Sequence, residues 1–195
     1  MFILKQAASA ETRVKNSRFL AEVFPVSSPD EAKAQWRFRK EHYDNGGHIV
    51  YAFTVGDQQN ISGCSDDGEP SGTAGRPALT VLKGSGITNV IVTIARWFGG
   101  TKLGTGGLVH AYTESAQRAL ENAVTEELIP MISTGFTLSY ALYETTKRIR
   151  DELQVRILKE DFADTVHFSV RLKEETMPEL QKRLSDLTNG KVSFE

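Results

Sequence analysis

The stretch of this 195-residue chain with the most obvious chemistry is Arg96-Trp97-Phe98-Gly99-Gly100-Thr101-Lys102-Leu103-Gly104-Thr105-Gly106-Gly107-Leu108. An apolar run feeds a glycine-rich segment, and that segment feeds a helical pattern. Amides at a helix start are unpaired and partially positive, so they attract phosphate or carboxylate. Gly99, Gly100, Gly104, Gly106 and Gly107 let an anion approach the backbone and form a nest around it. Arg96 and Lys102 add formal charge; Thr101 and Thr105 add hydroxyl donors. Known phosphate motifs do not fit. A Walker A loop needs Lys and Ser/Thr after its last glycine, where Thr105-Gly106 stands, and a dinucleotide fingerprint needs glycine where Val109 stands. The glycines also suit close packing of a helix on a sheet, and both readings stand.

A second stretch, Ser65-Asp66-Asp67-Gly68-Glu69-Pro70-Ser71-Gly72-Thr73-Ala74-Gly75-Arg76-Pro77, sets three carboxylates within four residues. Asp66, Asp67 and Glu69 offer oxygen ligands for Mg²⁺, though not at EF-hand spacing. The alternative is a turn whose side chains satisfy its own backbone. Arg76 precedes a helix start, within reach of a loop carboxylate. Cys64 and His48 resemble a nucleophile and base only in composition, since nothing local lowers the thiol pKa. His42, His110 and His167 match no metal-ligand spacing. Lys33, Arg37 and Lys40 fall on one helix face, after Arg13, Lys15 and Arg18. They read either as a phosphate-backbone footprint or as a solvated face.

The elements that must position these groups follow from periodicity. Arg18–Val26 reads as a strand. Ser28-Pro29-Asp30-Glu31 then gives an N-cap, a first-turn proline and the third residue of a capping box, starting a helix to about Tyr43. His48–Val55 is the next strand, followed by a long loop from Gly56 to Gly75. Pro77–Lys83 is a short helix ending at Gly84. Asn89–Ala95, β-branched and continuous, predicts a central strand buried on both faces. The loop Gly99–Gly107 then leads into a helix to about Val124, with Leu108, Tyr112, Ala116, Ala119 and Ala123 on one face. Fourteen of the 16 glycines lie between Gly46 and Gly107, which concentrates turns and tight contacts there.

A break at Pro130–Gly135 suggests two domains, 1–134 and 135–195. In the second, Phe136, Leu138 and Tyr140 alternate on a strand, and Ile149 and Leu153 mark a helix. Val155 and Ile157 begin another strand, and Val166–Leu172 alternate over a third. Thr176-Met177-Pro178-Glu179 reads as a second capping box, and Lys191–Phe194 closes with a strand. This βαββαβ order is the ferredoxin-like pattern, with helices on one sheet face only. The other face would show Thr137, Ser139, Arg156, His167, Ser169 and Arg171, without the stacking aromatics of an RNA-recognition motif.

Bulk composition narrows the classes. Hydrophobic residues at 39% and charged residues at 25% exclude a mostly disordered chain. A formal net charge of −2 argues against coating nucleic acid through bulk charge but leaves local basic patches open. One cysteine excludes an internal disulfide. No apolar run approaches a membrane span or a secretory signal, so a cytoplasmic location away from the membrane is expected.

Ser65–Pro77 and Arg96–Tyr112 resemble the two signature segments of the IMPACT family, in its bacterial YigZ branch; Lys15–Phe19 and the His48 strand also match. The resemblance spans the whole chain. It implies an α+β fold: a first domain with the left-handed βαβ fold of elongation factor G domain IV, and a ferredoxin-like domain similar to domain V. It also implies a mimic of a translation-factor tail, non-enzymatic, contacting structured RNA or the ribosome. Eukaryotic relatives restrain an amino-acid-starvation kinase, which implies a protein partner in stress or translation control. No catalytic residue, metal ligand or cofactor is carried over. Trp97 stands where tyrosine is common in the family. His110 stands where Arg or Lys is common, which removes a charge unless His110 is protonated.

Three functional expectations result. One is an RNA contact through Arg96, the Gly99–Gly107 segment, Arg76 and the Lys33/Arg37/Lys40 face. Another is a Mg²⁺-dependent enzyme acting on a phosphorylated or carboxylated substrate, with Asp66, Asp67 and Glu69 holding the ion. The last is a regulator that binds protein alone. The RNA reading needs both signature segments to meet in one receptive surface.

Overall fold

The computed structural model describes residues 1–43 and 47–195. Gly46, the first glycine of the rich stretch, lies outside the described residues. The chain divides into two compact units, Met1–Leu128 and Ile129–Glu195.

In chain order the first unit runs β1 (Phe2–Leu4), β2 (Ala8–Val14), β3 (Ser17–Pro25), α1 (Pro29–His42), β4 (His48–Val55), β5 (Ile61–Ser65), α2 (Gly75–Gly84), β6 (Val90–Trp97), α3 (Gly104–Glu121) and β7 (Thr125–Glu127). Five strands form one antiparallel sheet in the order β2-β3-β6-β4-β5. β1 and β7 pair as a small separate ribbon. Helices cover both sheet faces. Val50, Ala52, Val90, Val92 and Ile94 pack with Ala78, Leu82, Leu108 and Tyr112 of α2 and α3. Phe53, Val55 and Ile91 point the other way, onto Ala32 and Trp36 of α1. The alternation of a strand distributes its residues to two cores. β6 is therefore buried from Val90 to Arg96, as its β-branched run predicts.

Local chemistry sets the helix ends. Ser28 accepts the Glu31 amide at 3.2 Å, with Pro29 at the first helical position. The Glu31 carboxylate reaches back one residue further than a capping box requires, to the Ser27 amide at 2.7 Å. The structure departs from the sequence reading in several places, among them the unexpected ribbon of β1 and β7. β2 and β5 are strands where no strand was expected, β5 lying inside the supposed Gly56–Gly75 loop. Their short, polar or glycine-containing sequences are held by pairing with β3 and β4 rather than by strand propensity. α3 begins at Gly104, inside the glycine segment.

The second unit runs β8 (Met131–Leu138), α4 (Tyr143–Glu152), β9 (Arg156–Phe162), β10 (Val166–Lys173) and α5 (Met177–Thr188), with sheet order β8-β10-β9, all antiparallel. Phe136, Val166, Phe168, Val170 and Leu172 pack against Leu180 and Leu184 of α5. β8 starts at Met131, ahead of the expected Phe136. The expected closing strand is reduced to one antiparallel bridge, Phe136–Phe194. The second capping box is absent: Thr176 already has helical angles, entered from a 3₁₀ turn at Glu174–Thr176, so its hydroxyl caps nothing. Among the described residues no helix is long and apolar enough to cross a membrane.

Candidate functional site: two glycine-rich segments at one end of a sheet

The three carboxylates of Ser65–Pro77 diverge. Asp66 accepts three backbone amides, from Gly72 at 2.8 Å, Ala74 at 3.1 Å and Gly75 at 2.8 Å. Gly75 opens α2, and Ala74 before it has no side chain able to cap. Asp66 is thus the cap of α2, supplied from eight residues upstream of that position. Burial raises the Asp66 carboxyl, but the three amides and the nearby Arg76 charge outweigh it and hold it below the usual range. Arg76 itself is exposed.

Asp67 turns to the opposite side. One oxygen accepts the Ile49 amide at 2.8 Å and the other accepts Lys40 Nζ at 2.5 Å. Its carbonyl lies 2.7 Å from His48 Nδ1. Lys40 also sits 4.9 Å from the Trp36 ring, so it is a tether between α1 and the loop.

Glu69 points inward and is buried. Its Oε1 accepts Arg96 Nη1 at 2.6 Å and the Tyr112 hydroxyl at 2.8 Å. Burial and then the Glu69 charge push the Tyr112 hydroxyl far above the ordinary tyrosine range, so it stays a neutral donor. Arg96 is buried too, with its guanidinium 5.7 Å from the Phe19 ring and 5.6 Å from Phe98. Glu69 therefore joins the first segment to the start of the second and to α3. The two segments touch through this carboxylate, but the first does not add to a receptive surface, because its Gly72, Ala74 and Gly75 amides are already bound to Asp66. Tyr112, read from sequence only as one more core-facing helix position, completes the joint; its hydroxyl in an apolar stripe was the available signal.

The Gly99–Gly107 segment behaves differently. Gly99 is pressed onto β3: a Cβ there would lie 2.0 Å from the Asn16 carbonyl carbon, and its amide donates to Ser17 Oγ at 3.2 Å. Gly100 and Gly104 have φ of +85° and +74°, which favours glycine. Beyond Gly99 the segment faces solvent. Thr101, Lys102, Gly104, Thr105 and Gly106 are exposed, and Phe98 is 60% exposed. α3 starts with no side-chain cap and no acidic residue in its first turn. Its leading amides are therefore an unneutralised positive end.

The remaining predicted residues scatter. Lys33 and Arg37 are exposed on α1, which packs on the sheet face opposite α3, so they do not join the glycine segment. His110 is exposed on α3, 3.9 Å from Glu114. Cys64 is half-buried on β5, and burial raises its thiol. Among the described residues no three His, Cys, Asp or Glu side chains converge as metal ligands. The carboxylates considered for Mg²⁺ are each committed to a different partner. Arg18, stacked 4.5 Å over Trp97 at the same sheet end, is already paired with Glu11 at 2.8 Å.

Comparison with known proteins places this architecture. The family profile of the Impact N-terminal domain matches residues 15–120, and that of a domain of unknown function, DUF1949, matches 136–191. The chain is 33% identical to the IMPACT family member YvyE of Bacillus subtilis, over 97% of this chain and 88% of the relative. It is 34% identical to the IMPACT family member YigZ of Escherichia coli, over 93% and 90% respectively. A solved structure titled as that of a hypothetical protein superposes with a TM-score of 0.77 at 28% identity, covering 99% of this chain and 95% of that one.

Proposed function

We propose, from the premise that this chain belongs to the IMPACT family in its bacterial branch, that it is a non-enzymatic protein contacting structured RNA, as on the ribosome. In this reading the first unit plays the part of elongation factor G domain IV, with its left-handed βαβ fold, and the ferredoxin-like second unit that of domain V. The observation that carries the reading is the open amide end of α3 beside exposed Lys102, Thr101 and Phe98. Amides and lysine suit a phosphate, and an exposed aromatic ring suits an unstacked base. The enzymatic alternative loses support because Asp66, Asp67 and Glu69 are used in holding the fold.

The test is a filter-binding titration of the protein against ribosomal RNA fragments at two salt concentrations. Contact with several phosphates gives a steep salt slope. Lys102→Gln should weaken binding evenly across sequences and reduce the slope by about 1. No binding at low salt overturns the reading.

A further inference from the structure

The second unit carries an electrostatic arrangement that its own fold does not compensate. The open sheet face consists of residues alternating with the core set. On β10 these are His167, Ser169, Arg171 and Lys173, because Val166, Phe168, Val170 and Leu172 are buried. Register then assigns their neighbours. Arg171 stands directly opposite Arg156 of β9 and opposite Ser133 of β8. All three are exposed.

Like charges directly opposite across a strand pair are destabilising. Other cations of this face have carboxylate neighbours: Lys159 is 2.7 Å from Asp161, and Lys173 is 3.7 Å from Glu175. Among the described residues Arg156 and Arg171 have no carboxylate at ion-pair distance. The charge is also graded along the strands. Asp161 stands in the His167 row, and the Glu195 carboxylate lies against Gly135, in the Lys159 row. Beyond that row every charged residue on the strands' open face is basic: first the arginine pair, then Lys173. Successive rows are about 7 Å apart, two strand residues; Lys173 is answered by Glu175, so the uncompensated charge is the arginine pair. The floor beside it is Ser133 and Ser169, while the Glu195 carboxylate and the His167 ring cover Gly135 one row away.

Two unanswered guanidiniums beside the Ser133 hydroxyl fit the phosphate of a polyanion. Arginine binds phosphate oxygens through two parallel N–H donors, and an anion between two guanidiniums relieves their repulsion. We infer that the open sheet face of the second unit is a binding track for an RNA phosphodiester backbone, centred on Arg156 and Arg171 with Ser133 as a hydroxyl donor. This rests on the reading that the ligand is RNA, but on a surface separate from the glycine segment.

Fluorescence anisotropy of the full chain with a labelled ribosomal RNA fragment, across a salt series, tests it. The double variant Arg156→Gln/Arg171→Gln should lose affinity and flatten the salt slope by about 2, one for each phosphate contact. Its melting temperature without RNA should be unchanged or higher, because a repulsion has been removed; a lower one overturns the premise of an uncompensated pair. The variant should also lose the RNA-induced rise in melting temperature. Wild-type affinity in the arginine variant, with loss in Lys102→Gln, overturns the track and leaves the glycine-segment reading intact. Loss in the arginine variant alone sustains the track and overturns that other reading. No binding by the wild type at low salt overturns both.

Discussion

The two glycine-rich segments of the first unit begin alike and end differently. Both follow a strand, both carry charge, and both lead into a helix. In Ser65–Pro77 the carboxylates are consumed: Asp66 neutralises the amide end of α2, Asp67 ties down β4 and α1, and Glu69 accepts Arg96 and Tyr112. In Gly99–Gly107 only the first glycine is spent on packing, and the amide end of α3 remains uncapped. The difference teaches that an acidic cluster read as a ligand set can be wholly structural. A glycine run read as packing can be structural at one end and receptive at the other. The negative charge that α3 lacks is what the proposed RNA phosphate would bring.

Tests centred on Glu69, Gly99, Asp66 and Gly106 break or sharpen this contrast. The largest effect is expected at Glu69→Gln, which leaves the buried Arg96 without a counter-charge. Removing one partner of a buried pair costs about 3–5 kcal/mol, read as a fall in the urea midpoint at constant slope. Glu69→Leu/Arg96→Met/Tyr112→Phe should recover most of that loss, since no polar group is then stranded. If Glu69→Gln is neutral, the joint between the segments is not what holds them.

Gly99→Ala comes next. Its methyl group would meet the Asn16–Ser17 backbone, and forced overpacking costs about 1–3 kcal/mol. Gly106→Ala, where nothing lies within 4 Å of an added Cβ, should not destabilise at all. Equal losses in thermal melts of the two variants would erase the division drawn within the segment.

Asp66→Ala removes the remote cap of α2, and loss of an N-cap costs about 1–2 kcal/mol. The pH dependence has a definite sign. The Asp66 carboxyl is depressed in the folded protein below the ordinary aspartate range, so its stabilisation is complete above that range and disappears as pH falls through the folded-state pKa. Unfolding curves at pH 7 and below pH 3 should therefore differ less for Asp66→Ala than for the wild type.

The smallest change has the most diagnostic sign. Gly106→Asp supplies α3 with the first-turn carboxylate it lacks. Replacing a helix glycine and complementing the dipole should stabilise by about 1 kcal/mol. The same variant should bind RNA more weakly. A stabilised variant with undiminished RNA affinity would separate the open helix end from function.

How far the sequence could be read differs by feature. The α1 start was legible because Ser28, Pro29 and Glu31 act within one turn. β6 was legible because six successive apolar or β-branched residues, Val90–Ala95, leave a strand no polar face. β2 and β5 were not, since Ala8–Val14 and Ile61–Ser65 owe their conformation to neighbours distant in the chain. In the candidate site, the positions of the glycines and carboxylates were visible, and so was the anion-attracting character of a helix start. Which helix start was open was not visible, because Asp66 reaches α2 across a turn rather than from an N-cap position.

The order of residues alone determined the family, the α+β alternation, the two glycine-rich segments and the lack of a partner cysteine for an internal disulfide. Those properties depend on residue type and near neighbours. The tertiary structure decided which charges were already answered. Whether Glu69 meets Arg96, or Arg171 faces Arg156, depends on strand register and on loops folding back over many residues. A charge becomes available to a partner only when the fold has left it without one of its own.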